Sequence, residues 1–475
     1  MPDHYDVLII GAGLSGIGAA WRLGRLRPGT TYAILEARDD LGGTWDLFRY
    51  PGVRSDSDMF TLSYPFRPWH GDRSMASGAS ILRYLRDTAR DGGILPHIRF
   101  GTRVRSAARD GGRWTVTTGK GTFTCDFLYA CTGYYDYDSG HQPDFPGLAD
   151  YRGRLVHPQF WPPDLDHTGA RIVVIGSGAT AVTLVPALAA TAAHVTMLQR
   201  SPTYMAVLPE RDPLAGVLRN RLPAGVAHRV VRAKNVLVSQ AFYQLARRRP
   251  ARVRALLRRM ALGHLDDPAY LDEHFTPAYE PWDQRLCVVP GGDLFDAIRS
   301  GAAEVVTAGI ERFEAGGVRL TDGRLLGADL VVSATGLVLQ PLGGIDLSVG
   351  GTPVDPGSTV AYRGVMLGGV PNFAFCIGYT NASWTLRADL SHRYVCRLLA
   401  HMARHGYASA TPRERPGPRR PLLDLTSGYV QRSRHLFPAQ GDHDPWTVRQ
   451  NYLIDAVTSP RADIRRDMTF TRSPR

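Results

Sequence analysis

Two glycine-rich segments have the spacing that binds the phosphates of a dinucleotide. Residues 11–16 read Gly-Ala-Gly-Leu-Ser-Gly, and residues 176–181 read Gly-Ser-Gly-Ala-Thr-Ala. Each follows an apolar, β-branched run and opens an alanine-rich stretch. A strand, a glycine turn and a helix in this order bring backbone N–H groups and a helix N-terminus against a pyrophosphate. The sequence therefore predicts two nucleotide sites on one chain.

The residues at the ends of the next strands distinguish the two nucleotides. Glu36 ends the strand after the first turn, where a carboxylate accepts hydrogen bonds from the hydroxyls of an adenosine ribose, and this favours FAD. Arg200 and Ser201 end the corresponding strand of the second unit. A guanidinium binds a ribose 2′-phosphate that a glutamate would repel, so NADPH is predicted there. The alternative for Arg200 is an ordinary solvated charge at a strand end.

The two units also close in the same way, because residues 127–133 and 330–336 are both apolar strands that end in Thr-Gly. This repetition predicts an α/β fold with two Rossmann-like dinucleotide-binding domains, the second inserted in the first. The predicted boundaries are 1–150 plus 337–475 for a discontinuous FAD-binding domain, 157–335 for an NADP-binding domain, and about 213–265 for a helical insertion within it.

The chain is basic, with a formal net charge of +12, and almost all of the positive charge is arginine because Lys120 and Lys234 are the only lysines. The arginines are dispersed except at residues 247–259, and no nucleic-acid motif accompanies them. We therefore expect no nucleic acid as a partner. A solvated helix face is one interpretation of residues 247–259, and a peripheral membrane contact is the other.

Five cysteines are spread along the chain without a pairing pattern, which is typical of a reducing compartment. A flavin enzyme that reduces disulfides would carry a close cysteine pair beside its flavin, so that activity is disfavoured. The sequence shows no secretory signal and no apolar run as long as a bilayer is thick. We expect a cytoplasmic protein without a transmembrane segment or a metal site.

The segment between the two glycine turns carries a longer motif, Tyr151-x-Gly153-x3-His157-x3-Trp161-Pro162. It resembles the fingerprint of the Baeyer-Villiger monooxygenases, which are class B flavin monooxygenases, and departs from it only in having Tyr151 where the family has phenylalanine. Further segments that resemble this family are residues 44–52, 176–188, 282–287 and 378–384.

The resemblance implies a chemistry and the residues that perform it. It implies that FAD and NADPH activate O2 as a flavin C4a-peroxide, which converts a ketone to an ester or lactone and, once protonated, oxidises sulfur or nitrogen instead. Arg285 matches the family's catalytic arginine, whose charge would stabilise the peroxide. Asp56 matches the aspartate that orients this arginine, although an aspartate in a Ser-Asp-Ser-Asp run is otherwise typical of a turn or helix cap. Gln284 stands where many relatives have a lysine for the NADP phosphate.

His157 invites the role of a general base because the usual pKa of histidine lies near neutrality. We instead expect a buried histidine bonded to backbone in a hinge between the domains, with Trp161 as a packing anchor.

Two other functions stay open: a flavin monooxygenase that acts on nitrogen or sulfur without Baeyer-Villiger activity, and a flavin-binding redox sensor without catalysis. The expected substrate is a small ketone or thio compound together with O2, and the oligomeric state is not readable from the sequence. The predicted cofactor-binding residues are Gly11, Gly13, Ser15, Gly16, Glu36, Gly43, Thr44, Trp45, Asp56, Thr132, Gly133, Gly176, Gly178, Ala179, Thr180, Arg200, Ser201, Thr335, Gly336 and Trp384.

Overall fold

Two sheets with parallel cores organise the chain in the computed structural model, which describes residues 3–413 and 417–472. The first 140 residues supply the start of the larger sheet and the helices that cover it. They form β1 (Asp3–Ile10), α1 (Leu14–Leu26), β2 (Tyr32–Leu35), α2 (Thr44–Leu47), α3 (Met59–Leu62), α4 (Gly78–Asp91), β3 (Ile98–Arg99), β4 (Val104–Asp110), β5 (Arg113–Thr118), β6 (Gly121–Ala130) and β7 (Tyr135–Gly140).

The middle of the chain builds the smaller sheet and a group of helices between its strands. Its elements are β8 (Arg154–Val156), β9 (Arg171–Ile175), α5 (Ala179–Ala189), β10 (His194–Gln199), β11 (Met205–Leu208), α6 (Pro213–Arg219), α7 (Ala224–Arg248), α8 (Pro250–Leu262), α9 (Pro268–His274), β12 (Cys287–Pro290), α10 (Asp293–Arg299), β13 (Ala303–Thr307), β14 (Ile310–Glu314), β15 (Gly317–Leu320), β16 (Leu325–Gly327), β17 (Leu330–Ser333) and β18 (Leu337–Leu339).

The last part of the chain returns to the larger sheet. Its elements are β19 (Asp346–Val349), β20 (Thr352–Val354), β21 (Ala361–Tyr362), β22 (Met366–Leu367), β23 (Phe373–Phe375), α11 (Trp384–His405), β24 (Ser409–Pro412), β25 (Arg420–Pro421), α12 (Gly428–Ser433), β26 (Ala439–Gln440), α13 (Tyr452–Thr458) and β27 (Met468–Thr471).

The larger sheet has the strand order β20-β19-β4-β5-β6-β1-β2-β3, and β23 also pairs with β6. Strands β19 and β23 lie parallel to β4 and β6, so the end of the chain is woven into the sheet that β1 begins. The smaller sheet has the order β13-β10-β9-β17-β8, and all its neighbours are parallel. The predicted α/β class is confirmed.

Both glycine turns follow a buried parallel strand and press against the end of a neighbouring strand. Gly11 has φ +97°, and a Cβ there would lie 2.8 Å from the carbonyl oxygen of Cys131, at the end of β6. Gly176 has φ +133°, and a Cβ there would overlap the carbonyl oxygen of Ala334, at the end of β17. A residue with a side chain would be strained and would push these strands apart at both positions. The two units therefore use the same backbone contact.

Helices α6, α7 and α8 lie between β11 and β12 in the chain and pack onto both halves of the molecule. Ala215 of α6 and Val231 of α7 are buried against Phe60 of α3. Val253 and Leu257 of α8 pack in a cluster with Tyr204, next to β11. The insertion therefore packs on α3, from the first 140 residues, and beside β11, which pairs with β12 in a separate two-stranded sheet.

The buried His392 of α11 predicts how stability changes with pH. Its Nδ1 lies 2.8 Å from the Tyr129 hydroxyl, and burial lowers the pKa of His392 to about 4. The unfolded chain takes up this proton near pH 6.5, whereas the folded chain takes it up only near pH 4. His392 therefore leaves the free energy of unfolding unchanged above pH 6.5 and lowers it as the pH falls toward 4. The loss amounts to about 3 kcal/mol at most.

We expect His392→Gln, which cannot take up a proton, to show a flatter fall of the thermal midpoint between pH 7 and pH 4.5 than the wild type, in scans followed by circular dichroism. His435→Gln changes an exposed histidine and is the control. Parallel pH profiles for His392→Gln and the wild type would contradict this assignment.

Candidate active site

Two adjoining cavities lie between the first glycine turn and the helical insertion. The first encloses about 1440 Å³ and the second about 1550 Å³, each including space that is open to solvent. Asp56, Ser57, Arg285 and Ala382 line both of them. Any molecule bound in one cavity can therefore meet a molecule bound in the other at these side chains.

The first cavity gathers most of the residues that the sequence predicts for FAD. Gly16 lies behind the wall, where a Cβ would overlap the Gly11 carbonyl. The predicted residues that line the cavity are Gly11, Gly13, Ser15, Glu36, Gly43, Thr44, Trp45, Asp56, Thr132, Gly133, Arg285 and Trp384.

The N-terminus of α1 opens into this cavity without a side-chain cap. Gly13 is the cap residue, no side chain accepts a hydrogen bond from the first turn, and Leu14 and Ser15 line the cavity. Uncapped N–H groups at a helix N-terminus bind anions. On the facing loop Gly43 has φ +57°, and a Cβ there would lie 3.1 Å from the Gly13 Cα, so the loop approaches the turn closely. The uncapped N–H groups of the turn fit a pyrophosphate.

Glu36 is buried at the end of β2 and is held by backbone donors. Its carboxylate accepts hydrogen bonds from Ala12 N at 2.6 Å and from Arg38 N at 2.9 Å. Burial raises the pKa of Glu36, while these two hydrogen bonds act in the opposite direction. A carboxylate accepts about four hydrogen bonds, so capacity remains for ribose hydroxyls.

A buried carboxylate that sequence reasoning missed fixes the loop opposite the glycine turn. Asp46 lies 2.7 Å from the Arg38 guanidinium and 2.5 Å from that of Arg49. This pairing ties the segment that includes Gly43 and Trp45 to Arg38, just after β2, while Gly42 N donates to the Ala12 carbonyl of the first turn at 3.0 Å. Asp46 lies inside a segment that resembles the family, but nothing in its spacing showed that it would be buried.

Trp384 joins the C-terminal half of the chain to the first turn. Its indole Nε1 donates a hydrogen bond of 2.7 Å to Ser15 Oγ. Its ring lies against Gly378, where a side chain would overlap it. The start of α11 is thereby fixed at the wall of the first cavity.

Arg285 lies at the junction of the cavities and faces Asp56. Its Nη1 is 3.5 Å from Asp56 Oδ2, and the two side chains are 34% and 38% exposed. Its Nε is buried and has no hydrogen-bond partner among the described residues. Burial acts to lower the pKa of Arg285, but Tyr134 and Asp56 outweigh this and raise it, so the guanidinium stays cationic.

Two partly buried tyrosines beside Arg285 stay neutral at physiological pH. Burial raises the pKa of Tyr135 well above its usual value and raises the pKa of Tyr429 to about 12. Neutral phenols do not cancel the charge of the guanidinium. The junction therefore combines one cation, one partly exposed carboxylate and hydroxyl groups.

The Ser-Asp-Ser-Asp run divides its roles between its two aspartates. Asp58 caps α3 by accepting from Thr61 N at 3.0 Å, and it also accepts from Asn235 of α7 at 2.9 Å. Asp56 faces Arg285 instead. Arg54 bonds to Asp293 of α10, which ties this loop to the second unit.

The residues predicted for the second nucleotide line neither cavity. Gly176, Gly178, Ala179 and Thr180 form the turn between β9 and α5, and Arg200 and Ser201 are exposed just after β10. Thr335 Oγ1 donates to the His141 carbonyl at 2.6 Å, and Gly336 follows it. These residues lie at the carboxyl ends of the parallel strands in the smaller sheet, and the Ser177 carbonyl oxygen of the turn is 3.6 Å from Cys287 Sγ.

His157 is held by backbone at both ring nitrogens. Its Nδ1 accepts from Gln159 N at 3.2 Å, and its Nε2 lies 3.2 Å from the Gly336 carbonyl oxygen. Burial lowers the pKa of His157, so the ring is neutral. It ties the segment before β9 to the end of β17, and Trp161 packs against the core of the smaller sheet.

The individual residues that line the second cavity were not predicted from the sequence. Its walls are mostly apolar and come from the insertion and the chain beside it, from residues 56–75 and from residues 380–386, with Met75, Leu208, Phe242, Leu257, Trp282 and Leu386 among the lining residues. Trp282 has φ +73°, and its Nε1 is buried without a hydrogen-bond partner among the described residues. The only signal for it in the sequence was the resemblance of residues 282–287.

The chain is similar in sequence to a described protein family and to named monooxygenases. Residues 8–241 match the family described as pyridine nucleotide-disulphide oxidoreductase. The chain is 52% identical to the FAD-containing monooxygenase EthA of Mycobacterium tuberculosis, over 96% of this chain and 95% of that protein. It is 46% identical to the probable FAD-binding monooxygenase AlmA of Acinetobacter baylyi, over 98% and 95% of the two chains.

Solved structures share the fold over nearly the whole chain. A steroid monooxygenase bound to NADP aligns with a TM-score of 0.76 at 23% identity, covering 99% of this chain and 100% of that one. A cyclohexanone monooxygenase from Rhodococcus bound to NADP+ aligns with a TM-score of 0.75 at 19% identity, with the same coverage. The family expected from the sequence is confirmed by the close relatives: this chain belongs to the FAD-containing monooxygenases.

Proposed function

We propose that this monooxygenase uses FAD and NADPH to insert one atom of O2 into a ketone, which gives an ester or lactone, and that it also oxidises sulfur. The balance is ketone, O2, NADPH and a proton to ester, NADP+ and water. The observation that carries the proposal is the cationic Arg285 at the junction of two cavities, with a buried Nε that has no hydrogen-bond partner among the described residues.

The first cavity is the proposed site for FAD. The α1 N-terminus and Gly13 would hold the pyrophosphate, and Glu36 would accept from the ribose. When bound, FAD supplies the redox chemistry, since it accepts a hydride and passes electrons to O2. The chain contributes binding, orientation and exclusion of water.

The smaller sheet is the proposed site for NADPH, with the nucleotide across the turn at residues 176–181. Arg200 and Ser201 would hold the 2′-phosphate, and Thr335 and Gly336 would border the nucleotide. This assigns residues 157–335 to NADP and residues 1–150 plus 337–475 to FAD. His157 would couple the two by linking the inter-unit segment to Gly336.

Arg285 is the proposed catalytic residue and Asp56 its positioning residue. A fixed guanidinium stabilises negative charge that develops on the reacting oxygen, and it does so most strongly where water is excluded. Asp56 Oδ2 accepts one long hydrogen bond of 3.5 Å from Arg285 Nη1. The cation is therefore oriented but keeps donors for another partner.

The second cavity is the proposed site for the substrate because it adjoins Arg285 and its walls are mostly apolar. Lys234 and Asp212, which are 2.5 Å apart, form a second charged pair on its wall besides Arg285 and Asp56. These walls suit a small apolar ketone or thio compound. We also propose that the protein works in the cytoplasm, since all five cysteines are buried and free.

Product analysis tests the reaction type. Incubation with NADPH, O2 and an equimolar mixture of an apolar ketone and a thioether should give ester and sulfoxide, each followed by gas chromatography. Sulfoxide without any ester would favour a sulfur- or nitrogen-oxidising enzyme. Purified yellow protein that consumes neither NADPH nor O2 would favour a redox sensor.

Replacing Arg285 by alanine should separate NADPH oxidation from oxygen transfer. The pyrophosphate and ribose contacts of FAD are assigned to the α1 N-terminus and Glu36 rather than to Arg285, so NADPH oxidation should persist and hydrogen peroxide should accumulate. Ester formation should fall roughly 100-fold or more, the usual effect of losing one preorganised charge. Arg152→Ala, at an exposed arginine outside both cavities, is the matched control and should behave as the wild type. Ester formation at the wild-type rate in Arg285→Ala would show that another group fills the role.

Replacing Arg200 by alanine should weaken NADPH far more than NADH. A charged contact to phosphate contributes about 1.5–3 kcal/mol, so kcat/KM for NADPH should fall roughly ten- to a hundredfold while that for NADH changes little. The measurement is steady-state kinetics with each coenzyme, with Arg154→Ala as the control. An equal loss with both coenzymes would rule out a contact with the 2′-phosphate.

A further inference from the structure

Helix α7 exposes an apolar stripe along its outer face. Val230, Ala233, Leu237, Ala241 and Leu245 are all exposed and are spaced three or four residues apart. This spacing places them on one face of a helix, along about 22 Å of its length. Leu237, for example, is 56% exposed, whereas residues on the opposite face of the same helix are buried.

Helix α6 packs on α7, helix α13 contributes one side chain to a cluster with α7, and both helices add exposed apolar side chains. Ala215 of α6 packs on Val231 of α7, and Leu214 and Val217 point outward. Tyr452 of α13 packs in the cluster that contains Val236 of α7. The exposed side chains of α13 are Leu453, Ile454 and Val457. We call the exposed apolar side chains of α6, α7 and α13 the outer face.

Arginines stand at both ends of the α7 stripe. Arg221 and Arg229 are exposed near its start, and Arg248 continues the stripe by one more turn, next to Arg249. The cluster at residues 247–259 is only partly available, because Arg247, Arg254 and Arg258 pair with Asp283, Glu280 and Asp272. Among the described residues, Arg248 and Arg249 show no ion pair.

From this combination we infer that the outer face binds the surface of an anionic lipid bilayer. Leucine and valine side chains would enter the boundary between headgroups and acyl chains, and arginines at both ends would contact lipid phosphates. Within residues 3–413 and 417–472, no helix is long and apolar enough to cross a membrane, so the contact lies in the plane of the interface.

The second cavity, which is the proposed substrate site, opens at the outer face. Val238 is 60% exposed beside the stripe and also lines the second cavity, so the cavity reaches the surface at the outer face. An apolar molecule dissolved in the bilayer would enter there without crossing water. This route depends on the proposed function, whereas binding to the bilayer does not.

A second copy of the chain fits the outer face less well. In a symmetric dimer the same patch meets itself, so antiparallel α7 helices would bring Arg248 and Arg249 of one copy toward Arg221 and Arg229 of the other. Like charges at both ends would oppose that contact, whereas anionic headgroups neutralise them.

The test is co-sedimentation of the FAD-loaded protein with vesicles. We expect binding to vesicles of equal parts phosphatidylglycerol and phosphatidylcholine, weaker binding to pure phosphatidylcholine, and a decrease as salt is raised. The triple variant Val230→Ser, Leu237→Ser, Leu245→Ser should bind roughly tenfold more weakly, with an unchanged far-ultraviolet circular dichroism spectrum and flavin content. None of these three residues lines the cavities.

The matched control is Leu26→Ser with Leu325→Ser, which removes leucines that are 49% and 44% exposed outside the outer face and should bind vesicles as the wild type does. A second variant, Arg221→Gln, Arg248→Gln, Arg249→Gln, should lose binding and its salt dependence without disturbing the apolar stripe. Failure of the wild type to bind phosphatidylglycerol vesicles, or equal binding by the triple variant, would overturn the inference. If the wild type failed to bind vesicles and instead formed a dimer in sedimentation velocity, and the triple variant abolished that dimer, the inference would also be overturned.

Discussion

A guanidinium held between two cavities is the constraint on which the rest of the structure depends. Arg285 must stay charged and partly buried and must keep hydrogen-bond donors free for a bound molecule, although burial of a charge is costly without a partner. Asp56 offsets that cost from 3.5 Å, and neutral tyrosines surround the pair. The Arg54–Asp293 ion pair and the cap that Asp58 places on α3 hold the loop of Asp56 in position. The cation is therefore fixed by contacts from both halves of the chain.

Close backbone contacts determine where the cavities can lie. Gly11 and Gly176 each lie against the end of a neighbouring parallel strand. In each sheet this brings an uncapped helix N-terminus to the edge at the carboxyl ends of the strands. Strands β19 and β23 then return to the larger sheet, and Trp384 bonds to Ser15. As a result, residues far apart in sequence form one wall of the first cavity. The helical insertion closes the second cavity and exposes an apolar face of its own.

Local patterns in the sequence predicted the fold class and the family, because glycine turns, buried strands and the 151–162 motif are short-range signals. The same patterns predicted the lining of the first cavity from Gly11 to Trp384, but the roles of those residues remain predictions. Buried Asp46, the tyrosines beside Arg285 and the wall formed by Phe242 and Leu257 could not be predicted. They depend on contacts between distant elements, which no periodicity in a single segment specifies.

The most direct test of the central claim is a crystal structure of the protein with FAD and NADP+ bound, in which the distance from the Arg285 guanidinium to the isoalloxazine ring is measured. The account predicts a guanidinium within about 4 Å of the ring or of the bound nicotinamide, with Asp56 as its neighbour on the other side. A guanidinium that points into bulk solvent, far from the ring, would contradict it.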